Sequence, residues 1–126
     1  MKSPLLNTFV CAPALVLLAA TGCNRHSPPP AALPAAELPA ALGKAFAKSP
    51  AEVKALASET VSAVQSQDYP KAFRTLQTLS ARPGLTKEQL NVTSRAMLTV
   101  TELLQAAQTK GDAKAAQALK TYRLDK

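Results

Sequence analysis

Residues 86–112 read TKEQLNVTSRAMLTVTELLQAAQTKGD, and this stretch decides the fold. Thr86 and Gln89 stand as a capping box, in which the Thr hydroxyl accepts from the third helical amide while the Gln side chain reaches back to the Thr amide. Leu85 and Leu90 occupy the two positions of a hydrophobic staple across that start. Leu90, Thr93, Met97, Val100, Leu104 and Ala107 then alternate spacings of three and four, with Leu98 and Leu103 widening the stripe. That is the period of an amphipathic helix. Gly111 supplies the stop and Asp112 the next cap, so the spacing predicts a helix over 87–110, about 36 Å long at 1.5 Å per residue.

The same grammar extends in both directions. Upstream, Pro83-Gly84 ends a helix that Asp68 caps and whose first turn accepts Pro70; Tyr69, Ala72, Phe73, Leu76 and Leu79 or Ser80 face its core. Before it, Ser49-Pro50-Ala51-Glu52 has the form of a second capping box with Pro at the first helical position, where its missing N–H costs nothing. Val53, Leu56, Ala57, Thr60 and Val64 make that helix's stripe, and it stops near Gln67. A short helix covers Pro39 to Lys48, with Leu42, Ala45 and Phe46 on one side. Downstream of Asp112, Ala115, Ala116, Leu119 and Tyr122 form a last helical face. The expected fold is all-α: two antiparallel helical hairpins, four main helices with a short fifth on the N-terminal side, filling residues 42–126.

Trp is absent, and beyond the first 22 residues only Phe46, Tyr69, Phe73 and Tyr122 are aromatic, so the core is built from Ala, Leu and Val. Such a core is shallow, and a domain this small buries only about 60% of its unfolded surface.

The N-terminal region has a different character. Met1 and Lys2 give a positive start, and Phe9 to Ala20 is uncharged with Pro13 as its one breaker, the layout of a secretory signal peptide over residues 1–22. A retained anchor is disfavoured, because a spanning helix needs roughly 20 predominantly apolar residues and this run is shorter and holds a proline. The stretch Leu18-Ala19-Ala20-Thr21-Gly22-Cys23 resembles the lipobox of bacterial lipoproteins; Thr21, Gly22 and Cys23 match it, and Ala20 stands where that family usually carries Leu or another branched residue. The resemblance implies cleavage before Cys23 and acylation of its thiol, the nucleophile that accepts the lipid. The other reading, an ordinary small-residue cleavage site at Ala20-Thr21-Gly22 with an incidental Cys23, stays open. Cys11 leaves with the leader, so the mature chain has one Cys and no intramolecular disulfide. Two or more acyl chains anchor a protein stably to a bilayer. Asn24 is not the Asp linked in lipoproteins with inner-membrane retention, which favours the outer membrane.

Residues 23–41 then read as a lipidated Cys followed by a tether. Pro28, Pro29, Pro30, Pro34 and Pro39 lie among Ala, Ser and Leu, a composition that favours extended polyproline II and a semi-rigid spacer. His26, the only histidine, falls in this spacer and reads as a solvated loop residue.

Gln67-Asp68-Tyr69-Pro70-Lys71-Ala72 aligns with Gly111-Asp112-Ala113-Lys114-Ala115-Ala116 at a shift of 44 residues. Tyr69, Ala72, Leu76 and Pro83 are also similar to the second helix of a tetratricopeptide repeat, which implies close helix approach at the small residue. Such repeats usually span 34 residues and need at least three copies to stack. A repeat-like stack and a small helical bundle are therefore both open readings.

Few chemistries survive. The helical part holds no His and no Cys, so zinc and copper sites are not expected, and no phosphate loop, dinucleotide motif or nucleophile elbow is present. Glu59 and Glu102 are mid-helix carboxylates, best read as solvated or ion-paired across helices. No enzyme and no cofactor is expected. The formal charge is +7, and loss of Lys2 with the leader leaves 14 basic against 8 acidic residues, or +6. Lys110, Lys114, Lys120, Arg123 and Lys126 face only Asp112 and Asp125, a net +3 near the C-terminus. Nucleic acid is not an expected partner in the envelope, and no aromatic stacking platform is present. Anionic headgroups, cell-wall polymers and envelope proteins remain, with Lys114, Lys120, Tyr122 and Arg123 as the candidate partner surface. The ending Tyr122-Arg123-Leu124-Asp125-Lys126 resembles that of Braun-type lipoproteins, which implies covalent attachment of the terminal Lys to peptidoglycan; the continuous coiled coil of that family is absent, since Pro83-Gly84 and Gly111 interrupt the chain.

Overall fold

The structure is a computed structural model and describes residues 28–124. Those residues form five helices and no strand: α1 (Leu38–Phe46), α2 (Ala51–Gln65), α3 (Tyr69–Ser80), α4 (Lys87–Thr109) and α5 (Ala113–Leu124). Helix α3 packs on α2, α4 and α5; α5 also packs on α4, and α1 lies against α2 and α4. The core is made of Leu38, Leu42, Phe46, Phe73, Leu76, Leu79, Val100, Leu104 and Leu119, with Ala57, Ala63, Ala72, Ala96 and Ala115 between them. The alanines let helix axes approach closely, because interaxial distance follows the side chains at the contact.

The reciprocal capping box of α4 is present: Gln89 N–H donates to Thr86 Oγ1 at 3.2 Å and Thr86 N–H to Gln89 Oε1 at 3.0 Å. The one expected at Ser49 does not form. Pro50 takes the N-cap of α2 without a side-chain cap, and Ser49 Oγ instead accepts from Gln89 Nε2 at 2.9 Å. The same Nε2 donates to Ala45 O at 3.1 Å, so the Gln89 amide joins the start of α4 to the end of α1.

The two aligned turns share one hydrogen-bond pattern. Asp68 N–H reaches Ala63 O at 2.8 Å and Gln67 N–H reaches Val64 O; Asp112 N–H reaches Ala107 O at 3.1 Å and Gly111 N–H reaches Gln108 O. Each is a Schellman termination around a left-handed residue, Gln67 at φ 60° and Gly111 at φ 91°. The residue after it caps the next helix: Asp68 Oδ1 accepts from Lys71 N–H, and Asp112 Oδ1 from Lys114 and Ala115 N–H. Beyond the turns the likeness fades. Leu76 and Leu79 are buried in α3, whereas the residues 44 positions later, Lys120 and Arg123, are exposed. Helix α3 has neighbours on several sides, and α5 buries only Ala115 and Leu119.

Two expectations need correction. The buried face of α4 is Thr93, Ala96, Thr99, Val100 and Leu104, while Leu90 and Leu98 are 45% and 41% exposed. The face is turned toward Ala96 and Thr99 because α1 and the chain before it cover that side of α4, a neighbour the heptad-like spacing did not reveal. Nor does the tether extend to residue 41. Leu33 and Leu38 are core residues, Thr99 Oγ1 donates to Leu33 O at 2.6 Å, and Arg95 Nε donates to Ala31 O at 2.8 Å. Proline removes donors from a segment but leaves its carbonyls free to accept, so a proline-rich strand with two leucines can be fastened to a helix.

Among the described residues every buried side-chain nitrogen and oxygen has a partner. Thr60, fully buried, donates to Thr75 Oγ1 at 2.9 Å, and Thr75 in turn donates to backbone carbonyls of its own helix. This hydroxyl pair sits between α2 and α3.

Candidate functional site: the α3–α5 groove

The N-cap Asp68 and Pro70 fix the entry of α3, and the Gly111-Asp112 turn fixes that of α5. Side by side, the two helices leave a groove of about 460 Å³. Pro70, Phe73, Arg74 and Gln77 form one wall; Lys114, Gln117, Ala118, Thr121 and Tyr122 form the other. On each helix the lining residues recur at intervals of three and four, the spacing of one helical face. At the floor the rings of Phe73 and Tyr122 meet edge to face, with centroids 5.1 Å apart and planes at 80°. Phe73 is buried and Tyr122 half-buried, so the floor is aromatic but shallow.

Charge is unevenly divided among the helices. Helix α3 carries Lys71 and Arg74, α5 carries Lys114, Lys120 and Arg123, and neither contains a carboxylate. Glu52 and Glu59 lie on α2 with Lys54, and Glu88 and Glu102 on α4 with Lys87 and Arg95. Lys71 Nζ pairs with Glu59 of α2 at 3.1 Å; both side chains are nearly half exposed, a setting in which an ion pair contributes little.

No protein family, curated protein or solved structure matches this chain. Its chemistry therefore rests on the placement of its own side chains.

The four residues expected as a partner surface are divided by α5. Lys114 and Tyr122 line the groove, whereas Lys120 and Arg123 lie on the opposite flank beside Leu119 and Leu124. Arg74 and Phe73 complete the site; the sequence assigns Arg74 no surface role, and Phe73 reads as either a core filler or a partner anchor, with the core favoured. The available signal was the matching period of Pro70, Phe73, Arg74, Gln77 and of Lys114, Gln117, Ala118, Thr121, on two helices that each lack an acidic residue. Ala20, Thr21, Gly22, Cys23, His26 and Lys126 lie outside the described residues.

A second depression of about 360 Å³ lies between α1 and α2, over Leu42, Gly43, Phe46, Ala57 and Val61, with Lys54 at its edge. Among the described residues no three or more His, Cys, Asp or Glu gather as a metal site, and no helix is long and apolar enough to cross a membrane.

Proposed function

We propose that this chain is a lipid-anchored protein of the bacterial cell envelope that works as a protein-binding or scaffold module, without catalysis. In this reading residues 1–22 are removed, Cys23 carries the acyl chains, and the helical domain faces the periplasm, from the outer membrane in preference to the inner. The helices are organised as two hairpins, α2 with α3 and α4 with α5, packed as a short stack. The observation that carries the binding role is the α3–α5 groove, an open trough with an aromatic floor and a cation on each wall. Grooves of this kind accept a partner's helix or extended segment.

Crosslinking in intact cells followed by mass spectrometry tests the reading. A reproducible envelope-protein partner is expected, with capture weakened by charge reversal at Lys114 or by Tyr122→Ala, both in the groove, and less affected by charge reversal at Lys120 on the other flank. Random or unchanged capture refutes it. The competing role is a structural link from membrane to cell wall, favoured by Lys120 and Arg123 on the other flank of α5. Covalent attachment of the protein through Lys126 to purified, digested cell wall would replace the scaffold reading with that one.

A further inference from the structure

We infer that the α3–α5 groove receives an amphipathic helical segment of a partner protein whose apolar stripe is flanked by Asp and Glu. The inference rests on the protein-binding reading above and adds the face and the chemistry. Two rows of side chains at helical spacing, one from each wall, form the kind of furrow into which the ridge of a third helix fits. The floor sets what lies deepest. Ala118 and Tyr122, half-buried over the buried Phe73 ring, give the floor an apolar and aromatic surface, matched by an apolar stripe on the occupant.

The walls set the flanks. Arg74 stands on α3 and Lys114 on α5, so a bound helix has a cation on either side of it. Asp68 at one end is the cap of α3, its Oδ1 accepting from Lys71 N–H, and the Lys71 ammonium is paired with Glu59. Neither α3 nor α5 offers a carboxylate to balance Arg74 and Lys114. An acidic helix supplies both countercharges, while a basic one meets like charge on both sides. Lipid phosphate fits less well, since the two cations stand on opposite walls with an apolar floor between them.

The test uses full-length protein in non-ionic detergent and two fluorescent helical probe peptides long enough to span α3. Both carry one Leu stripe; one has Glu on its flanks and the other Lys. The Glu probe should bind with an affinity that falls as salt rises, and the Lys probe should not bind. Arg74→Glu with Lys114→Glu should weaken the Glu probe by roughly tenfold or more and confer binding of the Lys probe. Lys54→Glu, at the α1–α2 depression, should change neither. The inference is overturned if the two probes bind alike, if the Glu probe does not bind, or if the double reversal leaves it unaffected. Two further measurements name the other occupants. Binding to anionic but not neutral vesicles, lost on the double reversal and without probe binding, would assign the groove to lipid. A dimer that dissociates on the double reversal would assign it to a second copy of the chain. A partner crosslinked in cells at another face would leave the scaffold reading standing and this assignment refuted.

Discussion

The hydroxyl of Thr99 donates to the carbonyl of Leu33 at 2.6 Å, joining the middle of α4 to a chain segment 66 positions earlier. The bond is buried, Leu33 is 6% exposed beside it, and Arg95 holds Ala31 one turn away on the same helix. Residues 31–38 are thus part of the folded unit.

Leu33→Ala should therefore destabilise the domain by about 2–4 kcal/mol, the range for a buried Leu truncated to Ala. Thr99→Val, which keeps the shape and leaves the Leu33 carbonyl without its donor, should cost about 1–3 kcal/mol. Urea unfolding followed by circular dichroism measures both. If either variant unfolds within about 0.5 kcal/mol of the parent, as surface changes do, the segment is only a spacer.

The two Schellman turns predict opposite responses to one kind of exchange. Gln67 holds φ 60° without being glycine, so Gln67→Gly should stabilise by roughly 0.5–1 kcal/mol. Gly111 holds φ 91° with open space around its Cα, so Gly111→Ala should destabilise by roughly 1 kcal/mol through backbone conformation alone. Melting temperatures of the two variants, moving in opposite directions, check this. A common direction would contradict the shared geometry.

Thr60 and Thr75 call for a double-mutant cycle. Either residue replaced by Val removes the hydroxyl contact between α2 and α3 while the remaining hydroxyl keeps a carbonyl of its own helix, Leu56 O for Thr60 and Lys71 O or Ala72 O for Thr75. Each single change should therefore cost about 0.5–1.5 kcal/mol, and the double change less than the sum of the two. Strictly additive losses would show that the hydroxyl pair contributes nothing specific.

Lipidation is checked at Cys23. Cells fed a fatty-acid probe should label the parent protein and not Cys23→Ala, and the mature N-terminus should begin at residue 23. Equal labelling of both, or cleavage elsewhere, removes the anchor from the proposed function.

The helices were legible in the sequence where local chemistry alone sets them. Thr86, Gln89, Asp68 and Asp112 all cap as read, because a cap needs only residues two or three positions away. Ser49 departs from its expected capping role because its hydroxyl accepts from Gln89, 40 positions distant. Leu90 and Leu98 were placed in the core by a period that is correct for a helix with one buried side, whereas α4 is also covered by α1 and residues 31–33. Proline density concealed the docking of Leu33 and Leu38 for a similar reason, since composition reports what a segment cannot hydrogen-bond internally and not what it packs on. Of the groove, Lys114 is legible as an exposed residue of the last helix, and Tyr122 as a residue of its apolar face that could also serve a partner. The wall that Arg74 and Phe73 form is not legible, because it exists only once α3 lies beside α5.

The fastening of Ala31 to Arg95 also fixes a leash. For a chain anchored at Cys23, eight residues separate the anchor from Ala31, a contour of at most about 28 Å, where a spacer running to Ala41 would reach about 63 Å. Effective concentration falls roughly as the −3/2 power of tether length, so eight residues in place of eighteen raise it about threefold. A partner embedded in the same bilayer with its binding segment close to the surface then meets the α3–α5 groove at that higher effective concentration. One that holds its segment farther from the membrane than the tether and the domain together lies beyond reach.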